Sequence, residues 1–169
     1  MNIVLPVLMV ASIFLLRAMH GWLDRAEERI NAVNGGDFSC EYSRRGGMEE
    51  ADLTMTLSSA GGRCVFALHD GSGERESAID DTLPVPAFAV DKLRGIYLDC
   101  GVYDWKELKK SGLVALDAPK SSITFRTALG EYTVCDDDKI PASGENLFGD
   151  VISEMDKWRG ILSQAKALK

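Results

Sequence analysis

The stretch from Ser121 to Leu162 constrains the fold of this chain more than any other part of it. Ser121–Thr127 reads as a strand, with Ile123 and Phe125 on one side and Thr124 and Arg126 on the other. Alternation of that kind belongs to half-buried β-structure. Leu129-Gly130 makes a turn, and Glu131–Cys135 returns as a second strand whose Tyr132 and Val134 match the first across it. Beyond Asp136-Asp137-Asp138 and the loop Pro141–Asn146, a helix is expected from Leu147. Its Phe148, Val151, Ile152, Met155, Trp158, Ile161 and Leu162 form one apolar stripe. A hairpin and an amphipathic helix each own one apolar face, and pressing the two together nucleates a two-layer domain. Each large side chain buried there contributes roughly 1.5–3 kcal/mol before chain entropy is charged against it. Ser143 or Asn146 is the natural N-cap.

The same period of two recurs upstream. Phe38, Cys40 and Tyr42 alternate with Ser39, Glu41 and Ser43; Leu53, Met55 and Leu57 with Thr54, Thr56 and Ser58; Cys64, Phe66 and Leu68 with Val65, Ala67 and His69. Ala60-Gly61-Gly62 and Asp70-Gly71-Ser72-Gly73 supply hairpin turns. Arg75–Ile79 reads as a polar edge strand, where charge discourages further pairing.

Pro84 and Pro86 end this meander, and a helix is expected to begin at Pro86 or Ala87. Val90, Leu93, Ile96, Tyr97 and Cys100 recur at helical spacing, and Gly101 is the stop. A polar loop through Lys109-Lys110-Ser111-Gly112 and a short apolar piece, Leu113–Leu116, lead back to Ser121. The predicted fold is α+β: an antiparallel sheet of five or six strands with two helices packed on one face, preceded by an N-terminal hydrophobic helix.

That helix is a separate problem. Residues Ile3–Leu16 are apolar except for Ser12, on all sides and not on one face. As a helix the run rises about 21 Å, short of a bilayer core of ~30 Å. Extension through Trp22-Leu23 reaches the needed length, with Arg17 snorkelling and Trp22 at headgroup level. Residues 3–23 are therefore expected to act as a membrane anchor. A cleaved signal segment and a buried or oligomerising helix are the alternatives, and no small-x-small cleavage site follows the run. Asp24–Val33 continues as a polar helix that Asn34-Gly35-Gly36 stops, so the domains are 1–34 and 35–169.

Charge excludes one class of partner. The three basic and three acidic residues before Gly35 cancel, which leaves the whole net charge of −7 on the body. Such a surface repels phosphate backbones, and no Lys/Arg cluster breaks the pattern, so nucleic-acid binding is not expected. A protein partner fits better. The four cysteines, Cys40, Cys64, Cys100 and Cys135, contain no C-x-x-C and lie far from His20 and His69 in sequence, so neither a zinc site nor any other metal is expected. They are either small buried hydrophobes or, in an oxidising compartment, two disulfides in one of three pairings.

Candidate sites are sparse. Ser143, Gly144 and Asn146 could hold an anion at the start of the last helix, but the loop lacks the glycines and lysine of a phosphate loop. Asp136, Asp137 and Asp138 with Glu145 offer oxygen ligands, yet not in the order of a calcium loop. His69 beside Asp70 suggests an acid–base pair for a hydrolase, against an alternation that points His69 away from the core. Ser143 is not in a G-x-S-x-G elbow, and no cofactor motif occurs. No residue set reads as catalytic.

Trp105, Ile123-Thr124-Phe125, Gly130, Ala142-Ser143-Gly144-Glu145-Asn146 and the helix from Leu147 resemble, in that order, a group of small bacterial α+β domains of unknown function. The resemblance covers the C-terminal two-thirds. It implies a domain behind a membrane or lipoprotein signal and carries no functional residues. The expected function is thus a non-enzymatic binding or accessory domain, membrane-associated or extracytoplasmic, with Thr54, Thr56, Arg126 and Thr133 on the sheet face that meets a partner. A soluble acidic partner protein of the inhibitor or immunity type, using Asp136–Asp138 in the cytoplasm, is the alternative.

Overall fold

Gly61 and Gly62 have φ of 54° and 77°, the left-handed pair that a two-residue hairpin turn requires. They fold β2 (Leu53–Ala60) onto β3 (Arg63–Asp70). The computed structural model describes residues 4–45, 52–71, 79–105 and 120–168, without the side chains of residues 4–18, 79 and 80. Around this hairpin stand α1 (Val4–Gly35), β1 (Phe38–Arg45), β4 (Ile79–Pro84), α2 (Ala87–Asp99), β5 (Lys120–Thr127), β6 (Gly130–Cys135) and α3 (Leu147–Ala167). Short 3₁₀ turns occupy Val102–Asp104 and Ala142–Gly144. The class is mixed α+β. The loop expected at Lys109–Gly112 and the apolar piece Leu113–Leu116 fall outside the described residues.

All six strands form one antiparallel sheet in the order β4-β3-β2-β1-β5-β6. The first strand is therefore central, pairing Tyr42 with Met55 on one side and with Ile123 on the other. Residues 75–78 of the expected edge strand lie outside the described set, and the edge strand among the described residues is Ile79–Pro84. Pro84 ends it without loss, because an edge position asks no ladder hydrogen bond of the proline nitrogen. The next residue, Val85, resumes pairing by donating its N–H to the Cys64 carbonyl at 3.0 Å.

Alternation sends Cys40, Tyr42, Met55, Leu57, Phe66, Ile123, Phe125 and Val134 into a single buried cluster. Ala89, Val90, Leu93 and Tyr97 of α2 join it, as do Leu147, Val151, Met155, Trp158 and Leu162 of α3. Tyr97 is the hub, with its ring centroid 5.2 Å from that of Phe125, 5.9 Å from Tyr132 and 6.0 Å from Tyr103. Not every residue of the expected α3 stripe is inside. Phe148 and Ile152 are half-buried and Ile161 is 43% exposed. Successive helical residues turn by about 100°, which sets Ile161 on the flank of the buried arc while Leu162 falls within it.

Two polar groups tie separate elements together. Glu154 sits inside the buried arc of α3 at 3% exposure. It takes Lys92 of α2 at 2.8 Å, Lys157 at 2.9 Å and the indole N–H of Trp158 at 3.3 Å. Arg94 lies over the Phe38 ring and donates from one nitrogen to the Gly36 carbonyl at 2.7 Å and the Ser59 hydroxyl at 2.9 Å. It thereby fastens the end of α1 and the rim of β2 to α2.

The long first helix touches the body through its last turns. Val33 is fully buried, and Arg29 pairs with Asp104 while lying over the Tyr103 ring. Earlier in the same helix Met19, Trp22, Leu23 and Ile30 are exposed. Among the described residues no helix is long and apolar enough to cross a membrane. The apolar run Ile3–Leu16 expected to anchor the chain falls where side chains lie outside the described set.

Candidate functional site

The loop before α3 is built as a joint. Ser143 donates its hydroxyl to the Cys100 carbonyl at 2.9 Å, satisfying an acceptor left over at the C-terminal end of α2. Gly144 donates its N–H to the Pro141 carbonyl at 2.8 Å and is buried beneath Trp105. A Cβ on Gly144 would stand 2.3 Å from the indole ring. Neither Ser143 nor Asn146 caps α3 with its side chain: Asn146 holds the cap position without a side-chain hydrogen bond. Its backbone carbonyl accepts from Asp150 at 2.9 Å instead. The N-cap expectation fails because Ser143 lies in the 3₁₀ turn ahead of the helix, and Asn146, which holds the cap position, has φ −97° and ψ 4° and makes no side-chain cap bond.

The acidic run also works on the backbone. Asp136 accepts the Ser121 N–H at 2.8 Å, and Asp138 accepts the Cys135 N–H at 2.7 Å. The two carboxylates close the open end of the β5–β6 hairpin, while Asp137 borders a cleft on the sheet. Among the described residues no three His, Cys, Asp or Glu side chains gather as a metal site would require.

His69 and Asp70 are adjacent in sequence and face opposite ways. Asp70 lies on the helix side, 3.4 Å from Arg159 of α3. His69 is on the other face, opposite Thr54 in the strand register. A pleated strand separates such neighbours.

The outer face of the sheet brings together what remains. Its rows follow from the register: Thr82, Ala67, Thr56, Glu41, Thr124 and Thr133 form one, and His69, Thr54, Ser43, Ser122 and Cys135 the next. Most of these side chains are partly exposed. Thr124 and Thr133 share a hydrogen bond at 3.0 Å. Arg126 bridges Glu131 at 2.9 Å and Glu41 at 3.3 Å, and these hydrogen bonds hold its guanidinium protonated even more firmly than usual. Beside them a cleft of about 400 Å³ opens between Glu41, Ser43, Arg45, Lys120, Ser122 and Cys135. A second of about 220 Å³ lies at Thr54, Thr56, His69 and Thr82. This is a surface of hydroxyls, amphoteric in charge, suited to hydrogen bonding with a polar partner.

Two of the four thiols are shielded from chemistry. All four are free. Burial raises the Cys40 and Cys100 pKa values, which keeps both protonated and unreactive. Sequence reasoning missed Glu154 and Arg94. Glu154 leaves one trace, an acid between Val151 and Trp158 on an otherwise apolar arc, whereas Arg94 depends on Gly36 and Ser59, which no local pattern brings near. No family model matches the chain, and no curated protein is significantly similar to it.

Proposed function

We propose that this protein is a membrane-tethered accessory domain without turnover of its own, binding a protein partner through the outer face of its sheet. In this reading α2 and α3 cover the inner face, α1 carries the apolar run 3–16 into a bilayer, and the partner meets Thr54, Thr56, Arg126 and Thr133. The observation that carries it is the outer face itself: rows of partly exposed hydroxyls flanking a cleft of about 400 Å³. The resemblance to small bacterial domains behind membrane signals supports the same reading. The soluble acidic partner protein stays the alternative reading, with Asp136 and Asp138 each accepting one backbone N–H.

The test is site-specific photo-crosslinking of the full chain in bacterial membranes. A probe at Thr56 or Thr133 is expected to capture a discrete protein, and a probe at the exposed Ser153 of α3 is expected not to. Equal capture from both faces, or turnover on a hydrolase panel that His69→Gln abolishes, overturns the proposal.

A further inference from the structure

At each edge of an antiparallel sheet every second residue turns its backbone N–H and C=O outward. On β4 these residues are Asp80, Thr82 and Pro84, because Val85 gives its N–H inward to Cys64 and the parity follows from there. Proline has no N–H to offer, so that edge is blunted. On β6 the outward residues are Glu131, Thr133 and Cys135. Asp136 donates inward to the Ser121 carbonyl at 3.0 Å, and at the other end the turn Ala128-Leu129 closes on the pair Thr127 and Gly130. Both ends give the same parity.

Cys135 is already satisfied. Its N–H goes to the Asp138 carboxylate at 2.7 Å, and its C=O accepts from the Asp138 N–H at 3.0 Å. Glu131 and Thr133 are exposed, and among the described residues their N–H and C=O groups have no partner. Groups that alternate in this way along an edge are matched by another extended backbone. Tyr132 stands between them on the inner face, half-buried, its ring 5.9 Å from that of Tyr97.

Register decides which backbone fits. Thr133 set opposite Thr133 of a second copy calls on Cys135, which Asp138 holds. Glu131 opposite Glu131 puts two carboxylates face to face, which destabilises a ladder. Glu131 opposite Thr133 uses every free group on both copies and sets no like charges directly against each other. Each Glu131 keeps its own Arg126 at 2.9 Å. The same register brings the two Tyr132 side chains together across the axis, at the closer of the two ladder spacings. We infer that β6 pairs antiparallel with β6 of a second copy, Glu131 opposite Thr133, joining two six-stranded sheets edge to edge about a two-fold axis. That axis stands normal to the sheet, so both outer faces point the same way and stay open to the partner proposed above. The pairing does not depend on that partner.

Sedimentation equilibrium of the full chain in detergent, with the thiols kept reduced, tests it. The contact is small and of the reversible class, so the series extends to about 0.5 mM protein. The parent is expected to dimerise reversibly. Thr133→Pro removes an outward N–H and, within the chain, costs only the hydroxyl bond to Thr124, so the fold is kept. It is expected to weaken the dimer at least tenfold. Thr133→Glu and Thr133→Lys place opposite charges against Glu131 of the other copy, and the glutamate variant is expected to dimerise at least threefold more weakly than the lysine variant. Thr82→Glu, on the blunted edge, is expected to leave the dimer unchanged. A parent that stays monomeric overturns the pairing and leaves the edge to a strand of another protein. A dimer indifferent to Thr133→Pro, or equally strong in the glutamate and lysine variants, overturns it as well.

Discussion

A methyl group on Gly144 would stand 2.3 Å from the Trp105 indole, well inside van der Waals contact. The loop therefore closes on the tryptophan with no side chain between them. Gly144→Ala forces the ring or the loop to move and is expected to destabilise the fold by about 1–3 kcal/mol, the usual cost of overpacking. Thermal unfolding of the full chain measures the loss. Ser143→Ala removes only a hydrogen bond to Cys100 and is expected to cost about 1 kcal/mol. A smaller effect for Gly144→Ala than for Ser143→Ala contradicts this packing.

Glu154 gives the acid limb of stability a specific source. Burial pushes its pKa up, but hydrogen bonds from Lys92 and Lys157 outweigh that and hold the carboxyl below its ordinary range. A carboxyl depressed in the folded state contributes stability that is fully present above its unfolded pKa and is lost as pH falls through the folded value. Glu154→Gln keeps an acceptor for Trp158 while removing the charge. It is expected to cost about 1 kcal/mol at pH 7, held to that size because both lysines are half-exposed. The gap from the parent protein should narrow steadily below pH 4. Denaturant midpoints at pH 7, 5 and 3 decide it, and a gap that widens on acidification contradicts the assignment.

The alternations Met55-x-Leu57 and Phe66-x-Leu68 were legible because a strand writes its buried face directly into every second residue, and the register pairs Met55 with Leu68 and Leu57 with Phe66. The helix from Ala87 and the one from Leu147 were legible for the parallel reason at a longer period. Strand order was not. Nothing in Phe38–Tyr42 says that its second partner lies eighty residues away, since hydrogen-bonded ladders carry no sequence code for their neighbour. The loop before the last helix was found but its cap was not, because the role of Ser143 depends on a carbonyl at Cys100 that only the tertiary fold brings within reach.

The thiols divide by position in the fold. Cys40 faces the core at 0% exposure and Cys100 is 8% exposed, both with pKa values raised by burial. Cys64 and Cys135 are half-buried on the rim and outer face. A thiol reagent added to native protein is expected to label Cys64 and Cys135, with Cys40 and Cys100 reacting only after denaturation. Mass spectrometry of the labelled peptides reads this directly. Rapid native labelling of Cys40 contradicts the placement of β1 at the centre of the sheet.

Tyr97 supplies the least intuitive expectation. It is fully buried among Phe38, Phe125, Tyr103 and Tyr132, and its hydroxyl lacks a hydrogen bond of good geometry. Burial pushes the phenol up to about 12, so it stays neutral across the physiological range. A buried donor without a partner costs on the order of 1–3 kcal/mol, while the ring itself fills the centre of the aromatic cluster. Tyr97→Phe keeps the ring and removes the unsatisfied group, and is expected to leave stability unchanged or raise it by about 1 kcal/mol. Tyr97→Leu removes the ring and is expected to destabilise by about 2–4 kcal/mol through lost packing. Unfolding of both variants in denaturant separates the contributions. A loss of more than about 1 kcal/mol in Tyr97→Phe requires a hydrogen bond to Thr127 or Tyr132 strong enough to outweigh the cost of burying the hydroxyl.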